Sequence, residues 1–131
     1  MGKMLIVEDY KPMSNMLIDL LEVYKVPLEC EVAKDGVEGW EKIKQGGYDI
    51  ILLDLALPNK DGFGVLRDME QAKMLRKIPV IATTALGGQV REFFWDLKNR
   101  TGIEVPLVFR PFEPRNLVET INQELAKFKK S

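Results

Sequence analysis

The sequence has no histidine and only one cysteine, Cys30. The first absence removes histidine-ligated metal sites, serine–histidine catalytic pairs and any role as a phosphohistidine carrier. The second excludes an internal disulfide and agrees with a reducing compartment. No apolar run approaches the roughly 20 residues that a membrane span needs. No leader-like segment precedes the first apolar run, so the expected location is the cytoplasm, with no membrane partner. Charge of one sign is not in excess. Nineteen Lys and Arg stand against twenty Asp and Glu, for a net charge of −1, which gives no general attraction to nucleic acid and argues against direct DNA binding.

What is present suits one domain with one core, over residues 1–131, at 46% hydrophobic and 30% charged residues. Four short apolar runs stand out: Met4-Leu5-Ile6-Val7, Ile50-Ile51-Leu52-Leu53, Val80-Ile81-Ala82 and Leu107-Val108-Phe109. Continuous runs of this length fit strands of a parallel sheet buried on both faces. A fifth, Cys30-Glu31-Val32-Ala33, alternates and reads as an edge strand, with Cys30 buried in it. Helical spacing fills the gaps. Met13, Met16, Leu17, Leu20, Leu21 and Tyr24 form one stripe. Val37, Trp40 and Ile43 mark a shorter helix ending near Gly46-Gly47. Leu66 and Met69 suggest a helix after Gly62, and Val90, Phe93, Phe94 and Leu97 one after Gly87-Gly88. Leu117, Ile121, Leu125 and Phe128 form the last, with Lys127, Lys129 and Lys130 as its solvated end. Five repeats of strand then helix predict a doubly wound five-stranded parallel sheet flanked by five helices. The chain stops just after the fifth helix, so no attached output domain is expected.

Ligands of open α/β sheets bind beyond the carboxyl ends of the strands, so the residue after each run carries the chemistry. The first run is followed by Glu8-Asp9, the third strand ends in Asp54, the fourth in Thr83-Thr84 and the fifth in Arg110. Carboxylates held close together repel, and a hard divalent cation relieves the repulsion. Mg²⁺ prefers such oxygen ligands and often completes its shell with phosphate. A carboxylate is also a competent phosphoryl acceptor, with a hydroxyl and a cation to steady the phosphoryl oxygens. Each acid alone reads as a turn residue or helix cap; their joint placement on neighbouring strand ends reads as a site.

Four segments resemble the receiver domain of two-component response regulators, in its single-domain, chemotaxis-regulator-like form. Val7-Glu8-Asp9 looks like the family's acidic pair. Asp54-Leu55-Ala56-Leu57-Pro58-Asn59-Lys60-Asp61-Gly62 looks like its phosphoacceptor strand and loop. Pro79-Val80-Ile81-Ala82-Thr83-Thr84-Ala85 looks like the strand that ends in the switch hydroxyl, and Arg110-Pro111-Phe112 looks like its Lys-Pro-Phe. The resemblance implies a flavodoxin-like fold with strand order 2-1-3-4-5. It implies that Asp54 is the phosphoacceptor and that Glu8, Asp9, Asp54 and the Ala56 carbonyl hold Mg²⁺. Thr84, rather than Thr83, aligns with the switch hydroxyl, and Arg110 with the family's cation, followed by a cis bond to Pro111. The partners implied are a sensor histidine kinase, which supplies a phosphohistidine, and a downstream output protein. The chain would serve phosphorelay signal transduction as a phosphoprotein that accepts a group on itself, and is not expected to be a turnover enzyme.

Three departures accompany the resemblance. Arg110 replaces a lysine, and the two are not interchangeable, because arginine is longer, planar and forked. The stretch from Ala85 to Arg110 is longer than usual, with Ile103-Glu104-Val105-Pro106 in place of a Gly-Ala pair. The aromatic switch position reads Leu107 or Val108. A pseudo-receiver, a protein-interaction module indifferent to phosphate, therefore stands as the alternative. A Mg²⁺-dependent phosphatase would need a second acid where Ala56 stands. A flavodoxin-like cofactor carrier would need hydroxyls where Glu8 and Asp9 would repel phosphate.

Trp95 completes the reading. At about 100° per residue it falls roughly 140° from the apolar direction of its helix, among Arg91, Glu92, Asp96 and Asn99. A tryptophan on a polar face is a typical interface anchor, for an output partner or for a second copy in a homodimer.

Overall fold

The computed structural model describes residues 1–131 except Leu86, Gly88, Gln89, Lys130 and Ser131, together with the side chain of Lys129. The start of the fourth helix at Gly88 and the charges of Lys129 and Lys130 thus lie outside the described residues. Strand and helix alternate as the apolar runs predict: β1 (Gly2–Val7), α1 (Lys11–Val23), β2 (Leu28–Ala33), α2 (Gly36–Gln45), β3 (Ile50–Asp54), α3 (Gly62–Gln71), β4 (Val80–Thr84), α4 (Val90–Thr101), β5 (Leu107–Phe109) and α5 (Pro114–Lys129). All strand pairs are parallel, and the sheet order is β2-β1-β3-β4-β5.

The pleat sends alternate residues to opposite faces, and each face has its own core. Leu5, Val7, Ile51 and Leu53 meet Ile43 of α2, Val65, Leu66 and Met69 of α3, and Val90 and Leu97 of α4. Met4, Ile6, Ile50 and Leu52 meet Leu17 and Leu21 of α1 and Leu117, Val118 and Ile121 of α5. Two faces to bury explain why β1 is apolar from Met4 to Val7 and β3 from Ile50 to Leu53.

Several sequence expectations shift. Leu107–Phe109 is not buried on both faces: β5 is the second edge of the sheet and all three residues are half-buried. The Arg91 guanidinium lies over the Phe109 ring, 4.7 Å from its centre. Cys30 is half-buried rather than buried. In α1, Met16 and Tyr24 are exposed while Ser14 is buried. Met16 sits about 100° around the helix from Leu17, and Tyr24 is the residue at which the helix ends. In α2, Val37 is exposed and the core face is carried by Gly36, Gly39 and Ile43. A Cβ on Gly39 would lie 2.9 Å from Cγ1 of Val7, so the missing side chain is what lets α2 settle on β1. In α5 the core face includes Glu124, which is buried. Burial pushes its carboxyl up, against the pull of Lys127 and with help from Glu104.

Candidate functional site

The ladder extends one residue past several strands. The Glu8 N–H bonds the Ala33 carbonyl at 2.9 Å, the Leu55 N–H the Thr83 carbonyl at 3.0 Å and the Arg110 N–H the Thr84 carbonyl at 2.8 Å. The strand ends are therefore fixed by backbone bonds, and the pleat decides which side chains meet. Glu8 continues the parity of Met4 and Ile6, Asp54 that of Ile50 and Leu52, Thr83 that of Ile81, and Arg110 that of Val108. These four share one face. Thr84, fully buried at the end of β4, has the parity of Val80 and Ala82 and belongs to the other.

Glu8, Asp9 and Asp54 each bring a carboxylate oxygen within 4.8 Å of the others. Glu8 is 3% exposed and Asp54 5%, whereas Asp9 is exposed. Burial pushes both buried carboxyls up. The Asp54 charge adds to this at Glu8, and the Asp9 charge adds to it at Asp54. Hydrogen bonds oppose it: Glu8 Oε2 accepts from the Tyr10 N–H at 3.1 Å, and Asp54 Oδ1 from the Ala56 N–H at 3.1 Å. Two buried carboxyls and one exposed one, short of counter-charge, suit a hard cation with oxygen ligands.

Arg110 supplies part of that counter-charge. Its Nη2 bonds Glu8 Oε1, donates to Thr83 Oγ1 at 3.2 Å and lies 3.8 Å from Asp54 Oδ2. Its Nε is buried and has no hydrogen-bond partner among the described residues. The Arg110–Pro111 peptide is cis.

The loop after Asp54 is held from the side. Asp61 caps α3, accepting from the Gly64 N–H at 2.8 Å, and Asn59 takes a positive φ of 67° in the turn before it. Asp35 caps α2 through the Glu38 N–H and also accepts from the Asn59 side-chain amide, both at 2.8 Å. A Cβ on Gly36 would stand 1.8 Å from the Lys60 carbonyl oxygen, so the loop rests directly on the start of α2.

All six residues expected at the site, Glu8, Asp9, Asp54, Ala56, Thr84 and Arg110, lie at the carboxyl end of the sheet. Thr83, which the strand-end reading names but sets aside for Thr84, belongs to the surroundings, as do Asp35 and Asn59, which escape that reading. Strand parity counted from Asp54 would have picked out Thr83, and an Asp-Gly pair opening a helix is a cap signal.

Comparison with known proteins bears on the family and the fold. The transcriptional regulatory protein CiaR of Streptococcus pneumoniae is 39% identical over 85 residues, 65% of this chain and 36% of that protein. The response regulator Rcp1 of Synechocystis is 34% identical over 87 residues, 61% of this chain and 59% of that protein. The chain thus spans less than two thirds of the length of these relatives. Among solved structures, the CheY-like response regulator receiver domain protein of Methanospirillum hungatei superimposes with a TM-score of 0.83, covering 99% of this chain and 98% of its own. At 24% identity that likeness speaks for the fold. The family model of the response regulator receiver domain matches residues 4–122, and this chain belongs to that family.

Proposed function

We propose that this chain, as one receiver domain over residues 1–131, takes a phosphoryl group onto Asp54 from a phosphohistidine of a sensor histidine kinase, and that the modified form is read by an output partner. The observation that carries the reading is the meeting of three carboxylates beside one guanidinium at the sheet edge. Glu8, Asp9, Asp54 and the Ala56 carbonyl are the residues that would hold Mg²⁺. When bound, the ion supplies positive charge against the phosphoryl oxygens.

The chain's own groups do the rest. The Asp54 carboxylate attacks phosphorus, the donor N–P bond breaks, and its electron pair returns to the imidazole nitrogen. The Ala56 N–H holds Asp54 Oδ1 so that the carboxylate presents a fixed edge. Arg110, whose buried Nε has no hydrogen-bond partner among the described residues, has a donor ready for a phosphoryl oxygen, and bonds of this charged kind are strong. Thr84 closes β4 as the hydroxyl of the switch. One group is taken per chain, with no turnover implied.

For the output side, Trp95 is 66% exposed. It lines a groove of about 680 Å³ with Arg91, Lys98, Glu104, Pro106 and Leu107. This face is the proposed contact for the output protein or for a second copy. Among the described residues, no helix is long and apolar enough to cross a membrane.

The test is incubation with acetyl phosphate and Mg²⁺ followed by intact mass. The mass should rise by one phosphoryl group, and Asp54→Asn should prevent it. A wild-type chain left unmodified under saturating donor and metal would replace this reading with that of a constitutive interaction module.

A further inference from the structure

Glu8 is the most committed of the three carboxylates. Oε2 accepts the Tyr10 N–H, and Oε1 is bonded by Arg110. Asp54 has one oxygen on the Ala56 N–H and the other 3.8 Å from Arg110. Asp9 is exposed. An ion arriving from solvent therefore meets Asp9 and Asp54 before it can draw on Glu8.

The same Arg110 nitrogen that holds Glu8 also donates to Thr83 Oγ1 at 3.2 Å. The pleat explains the meeting: Thr83 pairs with Asp54 on one side and with Val108 on the other, and shares its face with Glu8, Asp54 and Arg110. A lysine would bring a single compact ammonium with a shorter overall reach and no fork. The longer guanidinium reaches across the end of β4 to Glu8, and the Thr83 hydroxyl steadies it on the way.

We propose that Thr83 and Arg110 form a latch on Glu8, so that Mg²⁺ must take Glu8 from Arg110 before it is fully held. The inference rests on the phosphoacceptor reading above. The latch makes the resting metal affinity lower than three free carboxylates would give. It also ties the two occupants of the site together: a phosphoryl group on Asp54 draws Arg110 towards itself and releases Glu8 to the ion. Thr83 is in this account a positioning residue that acts through Arg110.

The test is Mg²⁺ titration of the unphosphorylated protein by isothermal calorimetry. Thr83→Val keeps the shape and removes the acceptor. It should lower the apparent Kd about three- to tenfold, as the loss of one hydrogen bond to a charged group allows. Thr83→Ser keeps the hydroxyl and should stay within about twofold of wild type. Arg110→Lys, which cannot span Thr83 and Glu8 together, should tighten binding in the same direction as Thr83→Val and provides the reading if Thr83→Val does not fold. Unchanged affinity in Thr83→Val, or in Arg110→Lys where that variant stands in, overturns the latch alone, as does equal tightening in Thr83→Val and Thr83→Ser. A wild-type protein that binds no Mg²⁺ overturns the latch together with the metal-dependent function.

Discussion

Asp35 holds Asn59: one carboxylate oxygen caps α2 on the Glu38 N–H, and the other accepts the Asn59 amide at 2.8 Å. The loop that follows Asp54 is thereby fastened to a helix that contributes no ligand to the site. Losing the cap costs about 1 kcal/mol, and losing the second bond costs a similar amount. Asp35→Ala should therefore lower stability by about 2 kcal/mol in urea denaturation and slow Asp54 phosphorylation, while Asp35→Asn, whose one oxygen can keep the cap but whose N–H₂ cannot accept from Asn59, should recover only about half of the stability.

Metal binding should appear as heat resistance. A ligand that binds only the folded state at ten times its Kd stabilises it by about 1.4 kcal/mol, or roughly 4–5 °C in Tm for a chain of this size. Mg²⁺ should produce such a shift in the wild type and almost none in Asp9→Ala. Equal shifts in both would place the ion elsewhere.

The buried acid in α5 gives a pH dependence with a definite sign. Burial raises the Glu124 carboxyl above its ordinary value, so the folded state keeps that proton to higher pH than the unfolded chain does. Folding then loses stability as pH rises through this window. Glu124→Gln removes the loss. Its Tm should exceed that of wild type at pH 7. The difference should shrink as pH falls through the ordinary glutamate range and vanish below it, where the carboxyl is protonated in both states. A Tm difference that does not change with pH would mean that packing, not charge, decides the effect.

Trp95 stands outside the core, so its removal should be nearly silent in the isolated domain. Trp95→Ala should change stability by less than about 0.5 kcal/mol and leave Asp54 phosphorylation at the wild-type rate. Binding of an output partner, or self-association in sedimentation, should weaken by about 2 kcal/mol, as for an interface anchor. Wild-type affinity in the variant would move the contact face away from α4.

The architecture is legible in the sequence because β1, β3 and β4 are apolar at successive positions, and because the residues that follow such runs in a parallel sheet must gather at one edge. Glu8, Asp54 and Arg110 stand out on that ground alone. Periodicity serves less well where it has to identify the core by residue type. Glu124 lies on the core face of α5, only about 20° from Leu117 in helical projection, but a charged residue does not register as apolar. Gly36 and Gly39 occupy the core face of α2, and a pattern built on side chains overlooks residues whose use is having none. Val37 draws attention instead and faces solvent. Around the site, the partnerships of Thr83 with Arg110 and of Asp35 with Asn59 join strands and loops far apart in the chain, and local pattern carries no record of them.

The backbone bonds at Glu8, Leu55 and Arg110 divide the site into a still part and a yielding part. The Asp54 backbone cannot shift unless the sheet itself opens, so the Leu55 amide is expected to exchange with solvent as slowly as amides of the central strands. Asp9 and Ala56 lie in loops and are free of that restraint. On the proposed reading, an incoming ion would be met by groups that adapt, while the Asp54 backbone would stay in place. The two states of such a device are stored in side chains and loops, and the sheet serves as the fixed reference against which their movement is read.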